Sequence, residues 1–255
     1  PNLQNISVRD EESREIRKAF LPGQGRVLVS SDYSQIELRV LAHMADEQGL
    51  IEAFCHGVDI HTKTASDVFQ VPLEEVTASM RRSAKAVNFG IVYGISDFGL
   101  SQQLDIPRSQ AREFIDRYME SYPNISRYMD QVVEFCREHG YTATMLGRRR
   151  EVPEIHDKNY TIREFGKRAA MNAPIQGSAA DLIKLAMIRI DRQLRQRQLK
   201  SKMILQVHDE LIFDAEVQEL DELKEIIREG MEQVMELKVP LVAETKVGKT
   251  WYEAK

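Results

Sequence analysis

Two short apolar runs, residues 203–207 and 211–213, flank the ionisable side chains of His208, Asp209 and Glu210. Apolar, β-branched runs that are too short for a helix and are broken by a polar triplet suit two strands meeting at a turn. The pattern predicts a β-hairpin with charge at its tip. Adjacent carboxylates on an apolar sheet repel each other and lose hydration, and a divalent metal relieves that cost. A solvated polar turn explains the same residues equally well.

A second apolar strand ends on a carboxylate. Residues 26–31 form a short, largely apolar segment that leads into Asp32, and a helical pattern begins shortly after it. Ser34 and Glu37 have the spacing of a capping box, so the chain turns sharply just after Asp32. Strand ends are common ligand positions in α/β and α+β sites. If both strands belong to one sheet, Asp32 and Asp209 would hold two Mg²⁺ ions about 3.5–4 Å apart, as nucleotidyl transfer requires.

Helical periodicity dominates the middle of the chain. From residue 46 to about residue 140, amphipathic stretches are punctuated by glycine and proline, and no segment has a convincing strand pattern. After this region the patterns predict short β-type segments within 141–152, a helix over 161–172 and a longer helix over 178–198, the first helix being broken at Pro174. The hairpin follows, and after it an amphipathic helix over 217–234 and a strand within 239–247 are predicted.

Charge is segregated along the chain. The net charge of −5 and the pI near 5.8 argue at first against a polyanionic partner. Residues 184–202 nevertheless carry seven basic side chains against one acidic, whereas residues 209–236 carry eleven acidic against two basic. Because the acidic residues belong mostly to a predicted outer helix, a nucleic acid could bind elsewhere on the protein.

Cysteine usage and hydropathy limit the cellular setting. Cys55 and Cys136 offer neither a disulfide framework nor metal-ligand spacing, which indicates reduced thiols and a cytoplasmic protein. No apolar run approaches the roughly 18 residues of a membrane span, so we expect no membrane partner. The chain begins at Pro1 rather than at a methionine, and we expect a fragment of a longer protein.

The segment from residue 80 to residue 94 predicts a helix with two unlike faces. One face is an apolar stripe at about 100° per residue, made of Met80, Ala84, Val87 and Ile91. The opposite face places cations and aromatic rings four residues apart, at Arg81, Lys85, Phe89 and Tyr93. Such cations can hold a triphosphate, and such rings can stack on a base or sugar. Ordinary packing of the two rings against a neighbouring helix is equally compatible with the pattern.

Three segments resemble motifs A, B and C of the family A DNA polymerases. They are DYSQIELR at residues 32–39, RRSAKAVNFGIVYG at residues 81–94 and QVHDE at residues 206–210. The resemblance covers essentially the whole chain and implies an α+β fold, with an antiparallel palm sheet and an inserted set of helical fingers. The implied palm spans residues 1–45 and 166–255, its second part holding the catalytic hairpin and the C-terminal helix and strand, and the implied fingers span residues 46–165.

The resemblance also implies roles for individual residues. Implied metal ligands are the carboxylates of Asp32 and Asp209 and the backbone carbonyl of Tyr33, for two Mg²⁺ ions with Mn²⁺ as a substitute. Implied catalytic residues are Asp32, Asp209, Lys85 as proton donor to pyrophosphate, and Glu210 as an accessory carboxylate. Implied nucleotide-binding residues are Arg81, Lys85, Phe89, Tyr93, His61, Gln35 and Glu37, the last beside the sugar 2′ position. Implied DNA-binding residues are Arg168, Asn172, Gln176 and His208.

The implied activity is DNA-directed DNA synthesis in replication and repair, with primer-template DNA and dNTPs as partners. We expect a monomer in the bacterial cytoplasm, associated with the nucleoid. An alternative is a fragment that binds primer-template or nucleotide without efficient turnover, because the family's thumb and exonuclease-like domains are absent from the sequence. Two other enzyme classes fit less well: a nuclease has no use for the cationic aromatic helix, and an RNA polymerase would not place Glu37 at the 2′ position.

Overall fold

A computed structural model describes residues 2–6 and 14–254. Within these residues, six antiparallel strands are distributed over two sheets. The strands are β1 (Arg26–Tyr33), β2 (Tyr141–Ala143), β3 (Arg149–Glu151), β4 (Lys202–Val207), β5 (Glu210–Glu216) and β6 (Ala243–Gly248). The larger sheet has the order β4-β5-β1-β6, and β2 pairs with β3 as a separate hairpin. The predicted catalytic hairpin and the strand that ends near Asp32 are therefore confirmed as neighbours in one sheet.

Helices make up most of the remaining chain. They are α1 (Ile36–Ala45), α2 (Gln48–Cys55), α3 (Ile60–Phe69), α4 (Ala78–Val92), α5 (Asp97–Leu104), α6 (Arg108–Ser121), α7 (Pro123–His139), α8 (Tyr160–Gln196) and α9 (Leu220–Glu232). Side-chain caps explain several starts, since Asp59, Thr77 and Ser96 accept hydrogen bonds from first-turn amides of α3, α4 and α5. The α+β class predicted from the sequence is confirmed. Within the described residues, no helix is both long and apolar enough to cross a membrane.

Contacts along the chain divide it into two compact units. The first consists of Pro1–Ile36, Leu182–Glu236 and Leu241–Lys255 and contains the four-stranded sheet. The second consists of Glu37–Asp181 and Leu237–Pro240 and is mainly helical. The first unit is thus discontinuous in sequence, with the second inserted into it. The palm and fingers assignment implied by the resemblance stays a prediction.

In the first unit, the central strand β1 is covered on both faces. Leu28 belongs to a buried cluster with Val207, Ile212, Trp251 and Ala254. Side chains alternate along a strand, so neighbouring positions face the other side. There, helix α9 packs with buried apolar residues, and the hydroxyl of Tyr33 donates a hydrogen bond to the Met231 carbonyl oxygen at 2.7 Å. The end of β1 is thereby held from both sides.

The prediction that Pro174 breaks the chain into two helices is wrong, because α8 is continuous and contains Pro174 in its interior. A proline there removes one backbone donor and normally costs about 3 kcal/mol. Buried side chains on both sides of it, including Ala170, Ile175 and Leu182, anchor the helix by packing. The Ser178 hydroxyl also donates to the Pro174 carbonyl oxygen at 2.6 Å. Tertiary packing therefore overrides the local helix-breaking signal.

A tight helix contact in the first unit gives a stability prediction. A Cβ at Gly230 in α9 would lie 2.3 Å from Cγ1 of the buried Ile190. Gly230→Ala should therefore lower the free energy of unfolding by about 1–3 kcal/mol through overpacking. Denaturant unfolding measures the difference. The control is Gly49→Ala in α2, where the nearest atom is an ordinary 3.5 Å away and alanine favours the helix. Equal stabilities for the two variants would contradict the contact.

Candidate active site

The strongest convergence of predicted residues lies at one end of the four-stranded sheet. Asp32 is opposite Glu210 in the β1–β5 register, and the Tyr33 amide donates a hydrogen bond to the Asp209 carbonyl oxygen at 3.2 Å. Asp209 occupies the two-residue turn between β4 and β5. Asp32 and Asp209 are both half-buried. The antiparallel pairing therefore brings together residues that are 177 positions apart in the sequence, as the hairpin argument predicted.

These two carboxylates have the chemistry of a magnesium site. Mg²⁺ prefers oxygen ligands, and it is commonly held by one or two carboxylates while water and substrate phosphates complete its shell. Asp32 and the backbone carbonyl of Tyr33 at the end of β1, with Asp209 in the adjacent hairpin turn, supply such a set. Among residues 2–6 and 14–254, no group of three or more His, Cys, Asp or Glu side chains forms a metal cluster. The donor set fits ions whose coordination a bound substrate would complete.

Glu210 has a different environment from the two aspartates. Its side chain is 1% exposed, and Oε1 accepts hydrogen bonds from Ser30 Oγ at 2.6 Å and from Trp251 Nε1 at 3.0 Å. Oε2 lies 3.9 Å from Nη1 of the buried Arg17, whose guanidinium stacks 4.0 Å from the Trp251 ring. Burial lowers the pKa of Arg17, while the charges of Glu210 and Asp32 raise it. Glu210 thus anchors the hairpin to the core beneath the tip, and its accessory catalytic role stays a prediction.

The hairpin tip is a tight turn. His208 has φ 55° and is exposed, and its carbonyl oxygen accepts a hydrogen bond from Gln206 Nε2 at 3.0 Å. Its own Nε2 lies 3.1 Å from the Gln4 carbonyl oxygen. A left-handed residue in a two-residue loop matches the twist of the flanking strands. The turn therefore sets Asp209 directly beside an exposed imidazole.

In the second unit, α4 has the two faces predicted from the sequence. Ala84, Val87 and Ile91 are buried, and Met80 at the first turn is half-buried. On the other face Arg81, Lys85 and Tyr93 are exposed and Phe89 is half-buried, which confirms the predicted exposure of these cations and of the Tyr93 ring. Tyr93 itself is the residue that caps the C-terminal end of the helix.

Arg81 is held by an acidic partner that the sequence argument did not single out. Its Nε and Nη2 donate to the two oxygens of Asp59 at 3.0 and 2.9 Å, a bidentate ion pair. Asp59 also caps α3, where it accepts hydrogen bonds from the amide and hydroxyl of Thr62. Partial burial alone would raise the pKa of Asp59, but the bonds from Arg81 and Thr62 hold that pKa well below its usual range. The guanidinium is therefore fixed in orientation by an ionised carboxylate.

His61 lies beside this pair and is only 3% exposed. Its ring centroid is 5.7 Å from that of Phe89, and its Nδ1 is 3.1 Å from Nδ2 of Asn88. Burial, which Asp59 opposes and the charges of Lys85 and Arg81 reinforce, lowers the pKa of His61 to about 4. Hence His61 is a neutral imidazole at physiological pH, not a third cation.

Glu37 and Tyr93 are joined directly. Glu37 lies in the first turn of α1, and its Oε2 accepts a hydrogen bond from the Tyr93 hydroxyl at 2.9 Å. The capping box with Ser34 stays a prediction. Gln35, which precedes α1, has φ 53° and is half-buried. Glu37, which is predicted to lie beside the sugar, is thus hydrogen-bonded to Tyr93, whose ring is predicted to stack by the templating base.

The predicted DNA-binding residues on α8 share one face because they are four positions apart. Asn172 Nδ2 donates to the carbonyl oxygen of Val92 at 3.1 Å. A Cβ at Gly94, which has φ +65°, would lie 2.9 Å from Cγ of Arg168, so glycine permits that close approach. Gln176 lines a cavity of about 260 Å³ whose other residues are Thr142, Ala143, Thr144, Arg148, Arg149, Arg150, Ala173 and Gly177.

Similarity to known proteins extends over the whole chain. The sequence profile described as DNA polymerase family A matches residues 1–253. DNA polymerase I of Lactococcus lactis subsp. cremoris is 56% identical, that of Geobacillus stearothermophilus 55% and that of Bacillus subtilis 54%, each over 256 residues. These alignments cover 100% of this chain but only 29% of each relative's length.

A solved structure is similar at the level of the fold. The polymerase domain of Pol1 from M. smegmatis, in complex with DNA primer-template and dNTP, superposes with a TM-score of 0.95 at 46% sequence identity. The superposition covers 100% of this chain and 45% of that one.

The buried Arg17–Glu210 contact leads to a prediction about stability. Glu210→Gln keeps acceptors for Ser30 and Trp251 but leaves the Arg17 charge without its nearest acidic partner. Such a loss in a buried pair should cost about 3 kcal/mol in the free energy of unfolding, and Arg17→Met combined with Glu210→Gln should recover part of it. Denaturant unfolding of the single and double variants gives the coupling energy.

The control for this prediction is an exposed pair. Arg112 and Asp116 lie 3.8 Å apart on the surface of α6. Asp116→Asn should leave stability almost unchanged, because exposed ion pairs contribute little. Strictly additive effects of the Arg17 and Glu210 substitutions would show that the buried pair is not energetically coupled.

Proposed function

Because the chain belongs to DNA polymerase family A, we propose that it carries the nucleotidyl-transfer site of a DNA-directed DNA polymerase. The substrates would be dNTPs and the 3′-hydroxyl of a primer paired with its template, in replication and repair. The observation that carries the proposal is the antiparallel register that brings Asp32 and Asp209 to the same end of the sheet. The similarity to a polymerase domain in complex with primer-template and dNTP supports the choice of substrates.

Asp32 and Asp209, with the Tyr33 carbonyl, are the proposed metal ligands. Two Mg²⁺ ions, with Mn²⁺ as a substitute, would supply a lowered pKa for the primer hydroxyl and charge stabilisation for the leaving pyrophosphate. The chain's contribution is a rigid placement of two carboxylates, because one is on a central strand and the other is in a tight turn. Glu210 supports that placement from the core.

The exposed face of α4 is the proposed triphosphate site. Arg81 and Lys85 would bind phosphate oxygens through charge-assisted hydrogen bonds, and Lys85 would donate a proton to the leaving pyrophosphate. Phe89 would pack on the incoming sugar and base, and Tyr93 would stack by the templating base. Asp59 orients the guanidinium of Arg81 for phosphate binding. It accepts hydrogen bonds from Nε and Nη2, so the donors on Nη1 are not used by this ion pair.

The proposed DNA-binding residues are three side chains of α8 in the second unit and one at the hairpin tip of the first unit. Arg168, Asn172, Gln176 and His208 are polar side chains that suit the minor groove, where acceptors are common to all base pairs and report pairing geometry rather than sequence. Gln35 is a further residue that we propose to contact the incoming nucleotide.

A second candidate function is binding of primer-template or nucleotide without efficient turnover. It is favoured by one observation, namely that the chain spans about 29% of the length of the relatives it matches. Primer extension with dNTPs and Mg²⁺, compared with fluorescence anisotropy of the same primer-template, separates the two functions. Extension that EDTA abolishes supports the polymerase, whereas binding without extension supports the second candidate.

The metal assignment predicts that Asp32→Asn or Asp209→Asn lowers primer extension by at least about 10³-fold while the fold persists. Each change removes one ligand charge at constant size. The control is Asp221→Asn on the exposed face of α9, which should extend primers normally. Mn²⁺ titration followed by electron paramagnetic resonance gives a second readout that needs no turnover. Near-normal extension and Mn²⁺ binding by either site variant would exclude the two-metal assignment.

The contact between Glu37 and Tyr93 predicts a change in sugar selection. If the Glu37 side chain fills the space of a 2′-hydroxyl, Glu37→Ala should raise the ratio of ribonucleotide to deoxynucleotide incorporation by about 10-fold or more, equal to about 1.4 kcal/mol of discrimination. Tyr93→Phe is the matched variant, because it removes the hydrogen bond but keeps the ring and the carboxylate. It should change the ratio much less. An unchanged ratio in Glu37→Ala would leave Glu37 a purely structural partner of Tyr93.

A further inference from the structure

A buried polar cluster lies behind the proposed triphosphate face in the second unit. Asn88 is 0% exposed, and its Nδ2 lies 3.1 Å from His61 Nδ1 and 3.0 Å from Thr64 Oγ1. The Tyr122 hydroxyl lies 3.4 Å from the same Thr64 oxygen and donates to Asp67 Oδ2 at 2.7 Å. The cluster joins α3 to α4 through polar contacts inside an otherwise apolar core.

The chemistry of the amide determines where the imidazole proton lies. An amide NH₂ group has two hydrogens and accepts none, so it can donate one to His61 Nδ1 and one to Thr64 Oγ1. Nδ1 must then be unprotonated. A neutral imidazole with an accepting Nδ1 carries its proton on Nε2.

The remaining nitrogen of His61 is available to a ligand. Among the residues that the structure describes, none forms a hydrogen bond with Nε2 of His61. Burial, Lys85 and Arg81 all disfavour the charged ring, and only Asp59 favours it. Because Arg81 and Lys85 already supply positive charge on this face, His61 adds a directional donor rather than another cation.

We propose that Asn88 is a positioning residue that fixes His61 as the Nε2–H tautomer, so that His61 donates a neutral hydrogen bond to a phosphate oxygen of the incoming nucleotide. The ligand in this statement rests on the proposed function, whereas the tautomer does not. The Thr64 hydroxyl lies within hydrogen-bond distance of both ends of the fully buried Asn88 amide, 3.0 Å from Nδ2 and 3.2 Å from Oδ1, so the contact that bears on the His61 proton is the one from Asn88 Nδ2 to His61 Nδ1. A neutral donor of this kind keeps its protonation state across the physiological pH range.

The first experiment measures the tautomer without any ligand. Long-range ¹H–¹⁵N correlation spectra of the labelled chain, with His61 assigned by comparison with His61→Gln, should show a protonated Nε2 and an unprotonated Nδ1 at neutral pH. In Asn88→Asp the carboxylate can only accept, so the proton should move to Nδ1 and leave Nε2 without one. A wild-type His61 with its proton on Nδ1 would overturn the proposal.

The second experiment measures binding of a dNTP with Mg²⁺ by isothermal titration. Asn88→Asp should weaken binding by about 10-fold, equal to about 1.4 kcal/mol. The control is Thr64→Val, which removes the other acceptor of Asn88 and should lower thermal stability without moving the proton on His61. Affinity should therefore persist in Thr64→Val. Equal losses of affinity in the two variants would show that Asn88 acts only through stability, and would overturn the proposal.

The two measurements separate this inference from the function on which it rests. In one outcome, the wild type shows the Nε2–H tautomer, Asn88→Asp loses it, and the protein binds no dNTP. This outcome would support the positioning role of Asn88 but contradict the proposed function and the phosphate contact. A chain that binds dNTP with His61 protonated on Nδ1 would support the function and refute the role of Asn88.

Discussion

The pairing of β1 with β5 is the constraint on which the proposed chemistry depends. It fixes which residue of each strand reaches the end of the sheet, and a slip by one residue would turn every side chain to the opposite face. Glu210 secures that register, because its buried carboxylate is bonded to Ser30 on one strand and to Trp251 near the C-terminus. Once the register is fixed, the position of Asp209 depends only on the conformation of the two-residue turn between β4 and β5.

Much of the fold could be predicted from the sequence because local patterns and tertiary packing agree. β1 and the hairpin strand β5 each contain a continuous run of buried residues, as expected for short strands inside a sheet, and α4 has a helical periodicity that matches its burial. Pro174 is the exception: its local signal is strong, yet the buried residues on either side outweigh one lost hydrogen bond. The strength of that packing depends on residues distant in the sequence, so the pattern around Pro174 could not reveal it.

The candidate site was predicted less completely than the fold. The motifs pointed to the exposed, chemistry-bearing side chains, but not to the residues that hold them. Arg17 and Asp59 act through contacts made by folding, and no periodicity predicts those. Asn88 did have a signal, because it falls on the same stripe as Ala84, Val87 and Ile91. A polar residue on an apolar stripe implies a buried hydrogen-bond partner.

The Arg81–Asp59 pair has a consequence for how the protein responds to its ionic environment. An arginine already paired with a carboxylate neutralises less phosphate charge than an isolated arginine, so it releases fewer of the counterions condensed on a nucleic acid. The exposed face of α4 therefore presents less free positive charge to nucleic acids and cellular polyphosphates than its basic residues suggest. Recognition there depends on the geometry of the guanidinium fork, and indiscriminate electrostatic attraction is kept low.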